Sequence, residues 1–258
     1  GALWRPRVEL LRFAQAECRR SKSRQLFARL PKYIMSVLES ASTPVAVQEA
    51  AIGTLCTLLR HSRREDQRET ILGWARDALA HGDGFYRRTL FLSWCRSVMA
   101  TFSRGFFKEH LFGTVVGLGL DPVAEVRAQF CRLAGTLKWL LELPTDRPLL
   151  TMLESAVDRV EECMPPTAQL QNAAARAKAD LGKISSDEIW RSSDARNAVA
   201  DREDEARTTR ELADFGGPPS GGPGGSGKRS SIAKLLPPQT KYSPRPNRAI
   251  DRRKGSAG

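Results

Sequence analysis

The five cysteines are the residues best suited by type to bind a metal or to form disulfides, and their spacing favours neither. They recur at intervals of 32 to 39 residues, at Cys18, Cys56, Cys95, Cys131 and Cys163. Zinc sites place two ligands within a few residues of each other. The recurrence instead predicts equivalent buried positions in a repeated structure, where stacked repeats about 10 Å apart would keep the sulfur atoms from pairing.

The histidines and serines also lack the spacing of a catalytic motif. His61, His81 and His110 fall in different parts of the chain, and no serine lies in a Gly-x-Ser-x-Gly turn. A nucleophile needs a nearby base to take its proton, and the sequence shows no such pair. Residues far apart in sequence can still meet in a fold, but the local patterns predict no catalytic residue, no metal and no cofactor.

One glycine-rich segment, 222–229, imitates a phosphate-binding loop. Its sequence is Gly-Pro-Gly-Gly-Ser-Gly-Lys-Arg, so Arg229 stands where a Ser or Thr would hold magnesium. No predicted strand precedes the segment and no predicted helix follows it, although both are needed to orient the backbone donors. The segment is therefore predicted to be a flexible linker.

The elements that must carry these residues are helices in a regular series. Val8, Val47, Arg87 and Val126 are equivalent positions, separated by 39, 40 and 39 residues. A near-constant period of this size is typical of helical solenoids. Within each repeat the apolar residues follow the 3.6-residue period of a helix, and no window alternates as a strand does. The predicted fold class is all-α, an α-solenoid of helical hairpins.

The chain is predicted to have three parts. Residues 1–164 form about four helix pairs, residues 165–215 a capping or exposed charged helical segment, and residues 216–258 a disordered basic tail rich in Gly, Pro and Ser. Pro31 is expected to kink the second helix or to mark its true start. The helices expected in the four pairs are 4–18, 24–39, 44–61, 65–80, 85–102, 104–120, 122–142 and 148–164. Because the sequence begins with Gly rather than Met, it is expected to be a fragment.

Two sets of residues carry a resemblance to known proteins. Asp121-Pro122, followed by Val126-Arg127, resembles the opening of a HEAT repeat, with Asp121 as a helix cap and Pro122 in the first turn. Segments within 85–150, including Phe102-Ser103-Arg104-Gly105-Phe106-Phe107 and Leu143-Pro144-Thr145-Asp146-Arg147-Pro148, resemble the HEAT-repeat regulatory subunits of protein phosphatase 4, of the subunit 4 type. These are related to the scaffold subunit of protein phosphatase 2A.

The resemblance implies a non-catalytic regulatory or scaffold subunit. Such a subunit would bind the catalytic subunit of a Ser/Thr protein phosphatase and raise the local concentration of substrates beside it. In the scaffold family, the turns inside the repeats hold the partners. The alternative is a HEAT-repeat adaptor for other protein cargo, which would bind through the inner helices.

The turns within the repeats are basic, and their charge declines towards the C-terminus. Segment 18–24 carries a charge of +4, 60–66 carries +1, 101–108 carries +2 and 141–147 carries −1. Short turns favour solvated charges, so chance alone could give this gradient. The sharper hypothesis is a docking ridge for an acidic protein surface. Its predicted contact residues are Arg19, Arg20, Lys22, Arg24, Arg60, Arg63, Arg64, Arg104 and Lys108.

Nucleic acid is an unlikely partner despite a net charge of +12. The tail carries nine Lys or Arg against one Asp, which accounts for +8 of that charge. The sequence contains no run of about 18 consecutive apolar residues, which is the length needed to span a bilayer. We expect a cytoplasmic protein, with the nucleus as the alternative location because of the basic run 252–254. Ser230, Ser231 and Ser243 lie in kinase-like contexts and are candidate phosphorylation sites.

Overall fold

The computed structural model describes residues 4–20, 23–162, 167–183 and 188–215. The chain divides into two units, Gly1–Pro219 and Ser220–Gly258, and the second lies outside the described residues. So do Cys163, the glycine-rich segment 222–229 and the three candidate phosphorylation sites. Within the described residues, no helix is long and apolar enough to cross a membrane.

Every regular element in the described part of the chain is helical, which confirms the predicted fold class. The series also contains two short elements of other helical types, a π-helical turn at Ala75–Ala80 and a 3-10 turn at Leu118–Leu120. The α-helices are α1 Trp4–Arg20, α2 Arg24–Glu39, α3 Val45–His61, α4 Glu65–Trp74, α5 Phe85–Thr101, α6 Arg104–His110, α7 Phe112–Gly117, α8 Ala124–Trp139, α9 Arg147–Glu162, α10 Ala168–Gly182 and α11 Glu188–Phe215.

The helices form two rows, as in a solenoid. The first row runs α1, α3, α5, α8, α10, with each helix packed on the next. In the second row α2 packs on α4, the π-helical turn after α4 packs on α7, and α7 packs on α9. Each hairpin thus buries its apolar face against its neighbours, and the buried apolar residues form one continuous cluster along the described series, from Val8 to Leu181.

The four cysteines that the structure describes lie in successive helices of the first row and are buried, as their spacing predicts. They lie 10, 9, 8 and 5 residues after the four equivalent positions that mark the repeats, so they share burial but not one register. Cys18, Cys56, Cys95 and Cys131 are all at most 3% exposed. Large apolar side chains beside them, such as Leu55 in α3, are also fully buried. Each such side chain contributes roughly 1.5–3 kcal/mol relative to an exposed position.

A second repeated feature fixes the turns between hairpins. In the second, third and fourth repeats, the residue after the equivalent position donates a hydrogen bond to a carbonyl of the turn that precedes its helix. Arg88 Nη1 donates to Gly82 O at 2.7 Å, Arg127 Nη1 to Asp121 O at 2.6 Å, and Gln48 Nε2 to Thr43 O at 2.5 Å. The turn carbonyls would otherwise lack a partner, so these bonds help to set the angle between repeats.

The entry to α8 differs from the prediction. Asp121 was expected to cap this helix, but α8 begins at Ala124, with Val123 at the N-cap position. Asp121 instead accepts a hydrogen bond from Val123 N at 2.8 Å and one from Arg88 Nη2 at 3.2 Å. Pro122 therefore lies in a turn that Asp121 closes, because a short carboxylate readily bonds the backbone two residues on.

Of two second-row helices, α2 keeps its expected bounds and the expected helix 104–120 does not. Pro31 lies inside α2, which begins at Arg24 with a cap from Ser23, so Pro31 does not mark its start. The expected helix 104–120 divides at Leu111, whose φ of −131° separates α6 from α7. Gly113 and Gly117 in the second half lower its helix propensity.

Helix α11 is placed differently from the expectation of an exposed helix. It does not join either row, and packs on α3 and α6 instead. Its buried side chains include Asp201, Asp204 and Thr208. The division of the chain into three parts at residues 164 and 215 stays a prediction.

Candidate functional site

The C-terminal ends of α1, α3 and α5, with the turns that follow them, lie along one side of the solenoid. We call this side the turn edge. Arg60 at the end of α3 donates a hydrogen bond to the carbonyl of Thr101 at the end of α5. Arg19 at the end of α1 acts electrostatically on His61. The turns within successive repeats therefore meet at this edge, as a solenoid requires.

Arg60 is the centre of the turn edge. Its Nη2 lies 2.8 Å from Asp201 Oδ1 and its Nη1 lies 3.2 Å from Asp204 Oδ2. Its guanidinium carbon also stacks 4.4 Å from the ring centroid of Phe102. The side chain is 11% exposed. Low exposure strengthens both ion pairs, but it also makes either partner costly to remove.

Arg104 and its neighbours form a second contact with α11, one repeat further on. The backbone N–H of Arg104 donates to Asp194 Oδ1 at 2.8 Å, and its Nε lies 3.6 Å from Asp194 Oδ2. The N–H of Ser103 donates to Asp201 Oδ2 at 2.9 Å. Asn197 Nδ2 donates to the carbonyl of Phe102 at 3.2 Å. Backbone groups of residues 102–104 and the side chain of Arg104 thus bind polar side chains of α11 and hold this helix against the turn edge.

Burial changes the charge balance at this contact. Desolvation raises the pKa of Asp204, although Arg60 and Arg207 act to lower it. Desolvation lowers the pKa of His61 to about 4, and the positive charges of Arg207, Arg60 and Arg19 add to that effect. His61 is therefore neutral at neutral pH, and the edge carries its positive charge on arginines.

An aromatic column lies beside Arg60. The ring centroids of Phe102 and Phe106 are 4.3 Å apart and stacked, and that of His110 lies 4.5 Å beyond Phe106. Phe102 is 2% exposed. These rings are packing residues that support the arginine.

The other predicted ridge residues fall into several environments. Lys108 Nζ pairs with Asp146 Oδ2 at 2.6 Å, which links the third repeat to the fourth. Arg64 pairs with Asp66 at 2.8 Å, on the exposed surface. Arg19 and Arg20 are exposed at the end of α1, and Arg63 is half-buried. Lys22 and the side chain of Arg24 lie outside the described residues.

The acidic side of this contact was missed from the sequence. Asp194, Asn197, Asp201, Asp204 and Thr208 are separated by 3, 4, 3 and 4 residues, so they share one face of α11. A periodicity search that scores only apolar residues passes over such a stripe. A search for short polar side chains at helical spacing would have found it.

The buried cysteines are not suited to act as nucleophiles, and the described residues contain no cluster that could hold a metal. Burial raises the pKa of Cys18 to about 11 and that of Cys56 to about 12, so both thiols stay protonated and are poor nucleophiles. Within the ranges that the structure describes, no group of three His, Cys, Asp or Glu could hold a metal ion. What the turn edge offers is a set of charges and hydrogen-bond donors suited to a carboxylate-bearing helix.

Comparison with known proteins confirms the resemblance predicted from the sequence. Over 157 residues, or 61% of the chain, it is 32% identical to the mouse protein named serine/threonine-protein phosphatase 4 regulatory subunit 4 and 31% identical to its human counterpart. The match spans 18% of the length of these curated relatives. No protein-family model matches the chain, and no solved structure matches it.

Proposed function

We propose that the chain is part of a regulatory or scaffold subunit that binds the catalytic subunit of a Ser/Thr protein phosphatase and recruits its substrates. The observation that carries the proposal is the 31–32% identity to phosphatase 4 regulatory subunits across 157 residues. On this proposal the chain supplies no catalytic group. It contributes by bringing a substrate to a bound phosphatase, which raises the substrate's effective concentration.

The geometry that supports this role is the turn edge. Arg19 and Arg20 at its N-terminal end are exposed, and charges at a rim speed encounter with an oppositely charged surface. The cytoplasm is the proposed location, with the nucleus as the alternative.

Affinity capture of a phosphatase catalytic subunit tests the docking role of these arginines. The test variant combines Arg19→Glu, Arg20→Glu and Arg64→Glu. We expect its recovery of the catalytic subunit to fall about tenfold, a cost of roughly 1.4 kcal/mol. The control combines Arg29→Glu, Lys32→Glu and Arg176→Glu, which makes the same charge change at exposed positions away from the turn edge.

Equal recovery by the test and control variants would remove the turn edge as the docking surface. Loss of recovery in the control alone would favour the adaptor alternative, in which another face binds cargo. A steep salt dependence of binding to nucleic acid by the full chain would favour the remaining alternative.

A further inference from the structure

The polar stripe of α11 matches the turn edge in spacing. Asp194 contacts Arg104 in the third repeat, whereas Asp204, ten residues later, contacts Arg60 in the second. Ten residues of helix span about 15 Å, and neighbouring helices in a row lie about 8–10 Å apart. Carboxylates seven to ten residues apart can therefore reach cationic groups of two successive repeats. Helix α11 thus runs along the edge in the direction opposite to the order of the repeats.

The attachment of α11 is polar throughout its described contact face. Its buried side chains there are Asp201, Asp204 and Thr208. Its one large apolar side chain in this region, Val199, is 49% exposed. Apolar burial is the dominant source of stability in ordinary helix packing, and the side chains described between residues 193 and 208 supply little of it. Salt screens ion pairs, although it screens buried pairs less than exposed ones. A contact held by ion pairs and hydrogen bonds is open to exchange with a competitor of like charge.

The fit of α11 to the edge is also incomplete. Arg104 Nη2 is buried and has no hydrogen-bond partner among the described residues. Asp194 reaches only the Nε side of that guanidinium, at 3.6 Å. A carboxylate on a longer side chain at the same position would reach further along the guanidinium, where a bidentate pair is stronger. A different acidic helix could therefore bind this edge better than α11 does.

From these contacts we infer that the turn edge is a receptor for an acidic helix, that α11 occupies it reversibly from within the chain, and that an acidic helix of a partner protein displaces α11. The partner helix carries carboxylates at positions i, i+7 and i+10, matching Asp194, Asp201 and Asp204. The inference rests on the proposed function only for the identity of the partner. Occupancy by α11 is tested without a phosphatase.

The first experiment needs no substitution. Hydrogen exchange of the full chain is measured at about 0.05 M and about 0.5 M NaCl. The amides of Ser103 and Arg104, which donate to α11 carboxylates, should exchange about tenfold faster at the higher salt. Amides of α5 around the buried Trp94 serve as the internal control and should not change.

The second experiment measures binding of a labelled peptide with the sequence of Glu188–Phe215 to the full chain. In the variant Asp194→Asn, Asp201→Asn, Asp204→Asn the edge is vacated, so the peptide should bind about tenfold more tightly than it binds the native chain. The control combines Glu49→Gln, Asp77→Asn and Glu203→Gln, three exposed carboxylates. It makes the same charge change and should bind the peptide as the native chain does.

Equal peptide affinity of the triple variant and the control overturns the inference, and so does exchange at Ser103 and Arg104 that is independent of salt. If the triple variant does not fold, the exchange experiment on the native chain decides alone. Tightened peptide binding without capture of a phosphatase leaves the acidic-helix receptor standing and removes the phosphatase as its partner.

Discussion

His61 is the residue at which the charge of the turn edge responds to pH. Desolvation, with the nearby Arg207, Arg60 and Arg19, lowers its pKa from 6.5 to about 4. Because the folded state disfavours the proton, the unfolded chain binds it more tightly. The stability that His61 contributes is therefore fully present above about pH 6.5 and is lost as the pH falls towards 4.

We predict that His61→Gln makes the free energy of unfolding less dependent on pH between about 6.5 and 4.5. The difference in slope should be below about 1.4 kcal/mol per pH unit, the one-proton limit, because His61 is half-buried and partly screened by solvent. Urea denaturation at several pH values measures it. His81→Gln, at an exposed position, is the control, and identical slopes for the native chain and His61→Gln would contradict the account.

Single residues also show where sequence reasoning stops. The burial of Cys18, Cys56, Cys95 and Cys131 followed from their recurrence, because similar positions in successive first-row helices share one environment. The partners of Arg60 could not be predicted from the sequence, because Asp201 and Asp204 lie 141 and 144 residues away. The residues next to Arg60 in the sequence do not indicate whether this arginine binds its own chain or another protein.

The 3-10 turn at Leu118–Leu120 packs closely against its neighbours. A Cβ added to Gly119 would lie 2.8 Å from Phe130 Cε1 and 3.3 Å from Ala156 Cβ. Phe130 is fully buried in α8, so its ring has little room to move. The turn therefore needs a glycine for space and not for an unusual backbone angle.

Gly119→Ala should lower the free energy of unfolding by about 1–3 kcal/mol, the usual cost of overpacking. Gly113→Ala in α7 is the matched control, because no atom lies within 4 Å of the added Cβ. That control should change stability by no more than about 1 kcal/mol, in the stabilising direction. Urea denaturation compares the two variants, and equal stability would show that the 3-10 turn does not constrain Phe130.

The helices of the two rows were predictable because each hairpin combines an apolar stripe with turn residues at its ends. The sequence predicted that α11 is a helix, but it did not predict that this helix binds the turn edge. Its contact face is made of Asp, Asn and Thr, which a hydrophobicity pattern assigns to solvent. The division at Leu111 was missed because leucine favours a helix, and Gly113 and Gly117 lower helix propensity without specifying where the helix ends.

At the scale of the whole molecule, the described helices of the two rows pack on the helices of neighbouring repeats, so this part of the chain behaves as a linear stack. The contacts of α11 are the exception, since they connect the C-terminal part of the chain to the second and third repeats. The all-α solenoid and its family resemblance could be read from a repeat period and a few motifs. The docking of α11 could not be predicted in this way, because a sequence period describes only the repeats and α11 is not part of a repeat.

The most direct test of the proposed regulatory role is calorimetric titration of the purified full chain with a purified phosphatase 4 catalytic subunit. We predict a one-to-one complex whose affinity falls about tenfold between about 0.05 M and about 0.3 M NaCl, because charged groups at the turn edge steer and orient the partner. Phosphatase activity should come from the catalytic subunit alone. Absence of a complex at either salt concentration, or dephosphorylation by the chain without a partner, would contradict the account.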